Sequence, residues 1–156
     1  MRSSSSSTSK TRWLVDGANL MGSVPDGWWK NPEKATRRWI EELDAYASAT
    51  GEDLTVVFDR RVPDIPPGPH GAITVLYPSR HGPNAADDEI VRLVAADEDP
   101  ATLRVVTSDR RLAERVRELG APVNSTGNFR RRLEEIALAR DARPRGSTSP
   151  TRSRDN

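Results

Sequence analysis

Short β-branched runs alternate along this chain with segments of helical periodicity. Four apolar runs have strand length: "RWLVD" at 12–16, "LTVVFD" at 54–59, "AITVLY" at 72–77 and "LRVVT" at 103–107. A short fifth strand or extended stretch follows at "APVNS". Between the first two runs, Ala35, Trp39, Leu43 and Tyr46 recur at helical spacing, and Ile40 and Ala47 widen that apolar face. Asn31 and Pro32 supply a helix start, and Gly51 lies just past its end. Further helices are predicted from Ala85 to about Asp97, from about Asp109 to Leu119 with Gly120 as terminator, and from about Asn128 to Ala139. Leu112, Val116 and Leu119 share one face of the third helix, and Phe129, Leu133 and Ile136 point inward from the last. The segments at 60–71 and 78–84 read as Pro/Gly-rich loops, since proline opposes both ladder pairing and helix.

Helices separate most of the strands, which predicts an α/β fold: a mainly parallel five-stranded sheet covered by helices on both faces. The link between the second and third strands has no helical pattern and is the exception. If the first and fourth strands lie side by side, their carboxyl ends form a topological switch point, where open α/β sheets bind ligands.

A chain of 156 residues suffices for one domain with a real core. Residues 12–140 are expected to form it. Residues 1–11 are serine-rich and basic, residues 141–156 are rich in Arg, Ser and Pro, and neither stretch can bury enough apolar surface to order itself. The net charge of +1 hides a segregation. Residues 1–12 carry three basic and no acidic groups, and 140–156 carry five arginines and two aspartates. Residues 13–139 are left with 16 basic and 21 acidic side chains, net −5. Such arms suit a polyanion bound beside an acidic centre, or they serve only solubility. The absence of cysteine excludes disulfides and thiol chemistry and is compatible with the cytoplasm. No apolar run spans a membrane, and the N-terminus lacks the apolar core of a secretory signal. A homodimer is compatible with the pattern.

Against this scaffold four aspartates stand out. Asp16, Asp59 and Asp109 end or closely follow strand runs, and Asp87 opens a helix. Carboxylates gathered at one sheet edge repel one another unless a divalent cation or shared protons compensate, which points to metal-dependent phosphate chemistry. Each has a blander reading. Asp16 could cap the turn that Gly17 permits, with Asn19 near enough to support it or a ligand phosphate. Asp87 falls in phase with Val91 and Val94 on the sheet-facing stripe, whereas Asp88 is expected to face solvent and pair with Arg92. Either could merely complement the helix dipole. Ser108 or Asp109 could cap the helix that follows. Asp59 is followed by Arg60 and Arg61 and is either a site carboxylate or their partner.

His70 and His81 sit in loops, and two histidines without cysteine make a zinc site improbable. Of the adjacent Trp28 and Trp29, one is expected to pack and the other to stack on a base. Arg130, Arg131 and Arg132 open the last helix near the aspartate rim, where phosphate contact competes with a plain solvated face.

The segments "VDGANL", "VVFD", "ADDEIVRLV" and "VVTSDRRLAERVRELGAPV", in this order and spacing, resemble the NYN domain of the PIN-like nuclease superfamily, and within it the bacterial YacP-like predicted ribonucleases. The likeness covers about residues 12–138. It implies a PIN-like sheet in the order 3-2-1-4-5 and a metal-dependent RNase using clustered aspartates with Mg²⁺ or Mn²⁺. Carried over by position, the acidic set is Asp16, Asp87 and Asp109 with Asp59 as a fourth member, and Asn19 and Ser108 match polar support positions. The "RR" after Asp59 departs from the family, and the basic tails lie outside its pattern. The expected partner is RNA, held also by Trp28 or Trp29 and by Arg130 and Arg131. A non-catalytic RNA-binding module on the same fold is the alternative. A phosphoaspartate phosphatase is disfavoured, because Gly17 and Ala18 follow Asp16 where a second aspartate would be needed.

Overall fold

The computed structural model describes residues 11–24, 27–79, 82 and 84–142. The two expected tails fall almost wholly outside these residues, as does His81. The element order is β1 (Arg12–Asp16), α1 (Gly17–Gly22), a 3-10 turn (Trp28–Lys30), α2 (Pro32–Thr50), β2 (Asp53–Val57), β3 (Gly68–His70), β4 (Ile73–Leu76), α3 (Ala85–Ala96), a 3-10 turn (Pro100–Thr102), β5 (Leu103–Val106), α4 (Arg110–Glu118), β6 (Val123–Asn124) and α5 (Thr126–Ala142).

The sheet runs in the order β3-β4-β2-β1-β5-β6. Five strands are parallel and follow the expected 3-2-1-4-5 arrangement. The sixth, β3, lies antiparallel to β4 at the edge, in the stretch expected to be loop. Pro69 is tolerated there because an edge strand leaves one row of backbone groups unpaired. β1 pairs with β2 on one side and β5 on the other. The chain reverses its direction of travel across the sheet at the β1/β5 boundary, so a crevice opens at their carboxyl ends.

Alternation along the strands builds two cores. Trp13, Val15, Leu54, Val56 and Val106 pack with Trp39, Leu43, Phe129 and Leu133 under α2 and α5. Leu14, Val57, Leu103 and Val105 pack with Ile90, Val94, Leu112 and Val116 under α3 and α4. The result is three layers. Asp16 has the parity of Leu14, and Thr107 that of Val105, so both continue toward the α3/α4 side.

α2 matches its sequence signals closely. Asn31 Oδ1 accepts from Lys34 N at 3.1 Å, Pro32 opens the helix, and Gly51 closes it at φ 74°. Among the described residues no helix is long and apolar enough to cross a membrane.

Three local expectations need correction. Asp88 pairs with Arg115 of α4 at 3.2 Å, while Arg92 bonds Glu89 instead. The buried stripe of α3 is Ala85, Ala86, Ile90 and Val94, which leaves Asp87 and Val91 half-buried at its border. Gly17 has no left-handed backbone. A Cβ there would lie 2.5 Å from the Phe58 ring and 2.9 Å from the Val57 carbonyl oxygen, so close packing excludes a side chain.

Candidate metal and phosphate site

Asp16 ends β1 and caps α1. Its Oδ1 accepts from Asn19 N at 3.2 Å, and its Oδ2 accepts from the Thr107 hydroxyl at 3.0 Å. The residue is only 3% exposed. Burial pushes its carboxyl up to about 6, the Asn19 N–H and Thr107 hydroxyl pull it down, and the nearby charges of Asp87 and Asp109 push it up again.

Thr107 joins two of the aspartates. While its hydroxyl donates to Asp16, the same oxygen accepts from Asp109 N at 3.1 Å. Asp109 caps α4, its Oδ1 accepting from Arg111 N at 2.9 Å and Leu112 N at 3.3 Å. Its Oδ2 has no hydrogen bond among the described residues and remains for a ligand. Asp87 makes no hydrogen bond among the described residues. Burial raises its carboxyl, Asp109 adds to the rise, and Arg115 opposes it. Asp16, Asp87 and Asp109 thus stand close enough for their charges to act on one another across the β1/β5 crevice.

Polar ties hold the rim. Asn19 Oδ1 accepts from Ser108 N at 2.7 Å, which fastens α1 to the loop after β5. The Ser108 hydroxyl shares a 2.8 Å hydrogen bond with Thr126 and accepts the Thr126 N–H at 3.0 Å, fastening that loop to α5. Neither Thr107 nor Thr126 stands out in the sequence. Each is a single buried hydroxyl beside a strand or helix end, and the only available signal was a polar residue following an apolar run.

The remaining candidates scatter. Asp59 is exposed just beyond β2, and it is not among the charges that shift Asp16. Trp29 is 58% exposed on the 3-10 turn; the side chain of Trp28 lies outside the described residues. Arg131 is exposed and bonds Asn128. Arg130 is half-buried, with its Nε buried and unpaired among the described residues. Arg132 turns away from the rim, donating to the Tyr46 hydroxyl at 2.6 Å and Glu52 Oε2 at 2.9 Å.

The donor set suits Mg²⁺ or Mn²⁺: carboxylates and hydroxyls, with raised carboxyls that a cation would relieve. Among the described residues, however, no three His, Cys, Asp or Glu side chains stand near enough to share one ion directly. An ion here would take few protein ligands directly and would be held partly through waters, as Mg²⁺ commonly is.

The profile of the YacP-like NYN domain matches residues 13–154. The match runs past the expected 138, so the arginine-rich C-terminal segment falls within the family's span rather than outside it. Two crystal structures of Rae1 (YacP) from Bacillus subtilis resemble the fold. A mutant form is 28% identical with a TM-score of 0.73, over 90% of this chain and 85% of that one. The other is 26% identical with a TM-score of 0.71, over 88% and 81%. No curated protein matches the chain.

Proposed function

This chain belongs to the YacP-like NYN family, a group of PIN-like ribonucleases, and from that premise we propose that it hydrolyses single-stranded RNA with a divalent metal at the β1/β5 crevice. The observation that carries the reading is the buried Asp16, raised to about 6 and flanked by the charges of Asp87 and Asp109. An acidic cluster of this kind is destabilising without a cation, and a fold retains such a group where it serves chemistry.

Asp16, Asp87 and the unengaged oxygen of Asp109 would hold Mg²⁺ or Mn²⁺ in part through bound waters, since the three do not stand near enough to share one ion directly. When bound, such an ion supplies a water of lowered pKa and positive charge against the scissile phosphate. The chain's own residues prepare the site. Thr107 fixes the rotamer of Asp16 and the backbone of Asp109 together. Asn19 has committed its Oδ1 to Ser108, so its amide Nδ2 is the end that can donate to a phosphate oxygen. Ser108 is occupied with Thr126 and acts as a tie in the rim. Trp29 offers a stacking face for a base. Asp59 is too exposed to share the field of the other three and stands at the margin.

The wide spacing of the carboxylates favours one second reading, an RNA-binding module without turnover. A single experiment separates the two. Labelled single-stranded RNA is incubated with the protein and with Asp16→Asn, with and without Mg²⁺ or Mn²⁺. Metal-dependent cleavage that Asp16→Asn abolishes supports the ribonuclease. Binding without cleavage by either protein, in either metal, refutes it.

A further inference from the structure

A cavity of about 500 Å³ opens beside the first turns of α2, away from the aspartates. Its wall carries Lys30, Lys34, Arg37 and Arg38 against a single acidic side chain, Glu41. The wall itself is basic, on a chain whose residues 13–139 sum to −5, but two of its four cations have acidic partners just outside it. Arg37 is engaged by Asp64 and Glu33, and Arg38 approaches Glu42 at 3.7 Å. Lys30 and Lys34 are exposed and make no ion pair among the described residues. Trp29, 58% exposed, precedes Lys30 on the same 3-10 turn.

α1 lies between the acidic crevice and α2. α1 starts at the Asp16 cap and has six residues, about 9 Å at 1.5 Å per residue. Its last turn packs against α2, with Met21 Sδ 3.6 Å from Thr36 Oγ1, whose proton goes to the Pro32 carbonyl at 2.8 Å. On its other side the cleft shares Arg38 with a second cavity of about 250 Å³ between α2 and α5. That cavity is lined by Trp39, by Arg38 and Arg130 and by Glu42 and Glu134, and Trp39 Nε1 and Arg130 Nε are buried with no hydrogen-bond partner among the described residues. Unsatisfied donors thus continue along α2, while the net positive charge is confined to the first cleft.

We propose that the α2 cleft formed by Lys30, Lys34 and Arg38, with Trp29 at its lip, is a backbone-phosphate subsite for single-stranded RNA running out from the acidic crevice. The proposal deepens the ribonuclease reading and names where the strand leaves the reacting phosphate. Lysine heads on flexible stems follow a phosphate backbone without reading sequence, and an exposed indole stacks on any base. A duplex would hide its base faces from Trp29.

The test is equilibrium binding in EDTA, where no cleavage intervenes, using a fluorescent 12-nucleotide oligouridylate and the full chain. Lys30→Glu/Lys34→Glu is compared with Arg117→Glu, an exposed change on α4 across the sheet, and with Trp29→Ala. Glutamate at position 34 occupies the third residue of α2, where a carboxylate suits the helix, so a fall in binding does not reflect a failure to fold. Expected for the double reversal is an affinity at least tenfold weaker at 0.1 M salt. Its slope of log K against log salt should be shallower by ~1.4, at ~0.7 for each phosphate that is no longer neutralised. Trp29→Ala is expected to weaken binding about tenfold, and Arg117→Glu at most twofold.

Equal effects of the α2 and α4 changes, or equal affinity for a duplex of the same length, overturn the proposal. Cleavage by the wild type together with unchanged binding by the double reversal refutes the cleft and spares the ribonuclease. Binding through the cleft without cleavage in either metal refutes the ribonuclease and spares the cleft. No binding by the wild type sinks both.

Discussion

Replacing Asp16 by Asn should make the metal-free protein more stable at neutral pH while removing its response to metal. The folded state holds a proton on Asp16 more tightly than the unfolded chain does, because its carboxyl rises from 3.8 to about 6. For an acid shifted this way, stability falls as pH climbs from about 4 to about 6, and the loss is complete above that window. At ~1.4 kcal/mol per pH unit, the ceiling of the penalty is about 3 kcal/mol. Asparagine is neutral and keeps the Oδ1 acceptor for Asn19 N. It also places an amide against the Thr107 hydroxyl, which already accepts from Asp109 N. Turning that hydroxyl costs about 1 kcal/mol. The net gain expected is then about 1–2 kcal/mol.

Thermal melts in EDTA at pH 4.0, 5.0, 6.0 and 7.5 check this. For a domain of this size the gain corresponds to ~3–8 °C at pH 7.5 and should vanish near pH 4. Millimolar Mn²⁺ should raise the melting temperature of the wild type and leave that of Asp16→Asn nearly unchanged. A variant that melts below the wild type at pH 7.5, or a difference independent of pH, would refute the claim that the ionised Asp16 strains the fold.

Metal affinity should itself depend on pH: below about 6 a proton competes for Asp16, so the apparent Kd for Mn²⁺ should rise about tenfold per pH unit in calorimetric titrations. Gly17→Ala should cost about 1–3 kcal/mol in denaturant melts, because its Cβ meets the Phe58 ring and the Val57 carbonyl. It should also depress cleavage by displacing α1 and Asn19, and a melt identical to wild type would deny the close approach. Glu52→Gln should cost about 1–3 kcal/mol at pH 7, since this carboxylate accepts from Tyr46, Trp13 and Arg132. Burial opposes ionisation of Glu52 but those hydrogen bonds outweigh it and lower its carboxyl, so the wild-type advantage should disappear as pH falls below the carboxylate range.

How far the fold could be read from the chain follows from which forces are local. The β-branched runs and the Asn31-Pro32 start of α2 carry their own signals, and all appear within a residue or two of the structure. α1 carries none: GANLMG has two glycines in six residues, and it is helical because Asp16 caps it and Leu20 and Met21 are buried beneath. β3 was hidden by Pro69, which only an edge position tolerates. For Asp88, sequence spacing offers Arg92 one turn away. The partner found, Arg115, belongs to a neighbouring helix and is set by how α3 packs on α4. The same limit applies at the site. Strand-end position and parity identify Asp16 and Asp109, but the hydroxyl joining them is a lone threonine with no periodicity to mark it.

The charge segregation evident in the sequence acquires a direction in the folded chain. Asp16, Asp87 and Asp109 present negative charge at the β1/β5 crevice, and an approaching phosphodiester is repelled there until a cation is bound. Lys30 and Lys34 present positive charge beside the first turns of α2, away from the aspartates. On the proposed reading, attraction at the cleft and repulsion at the crevice would orient a strand before any ion arrives, each field reaching about a Debye length, ~8 Å at physiological salt. Binding energy gained in the α2 cleft is therefore available to hold a phosphate near the aspartates against their repulsion. Arg115 and Arg111 oppose the rise of the Asp87 carboxyl, whereas the charges that act on Asp16 are those of Asp87 and Asp109, so a cation would relieve Asp16 most.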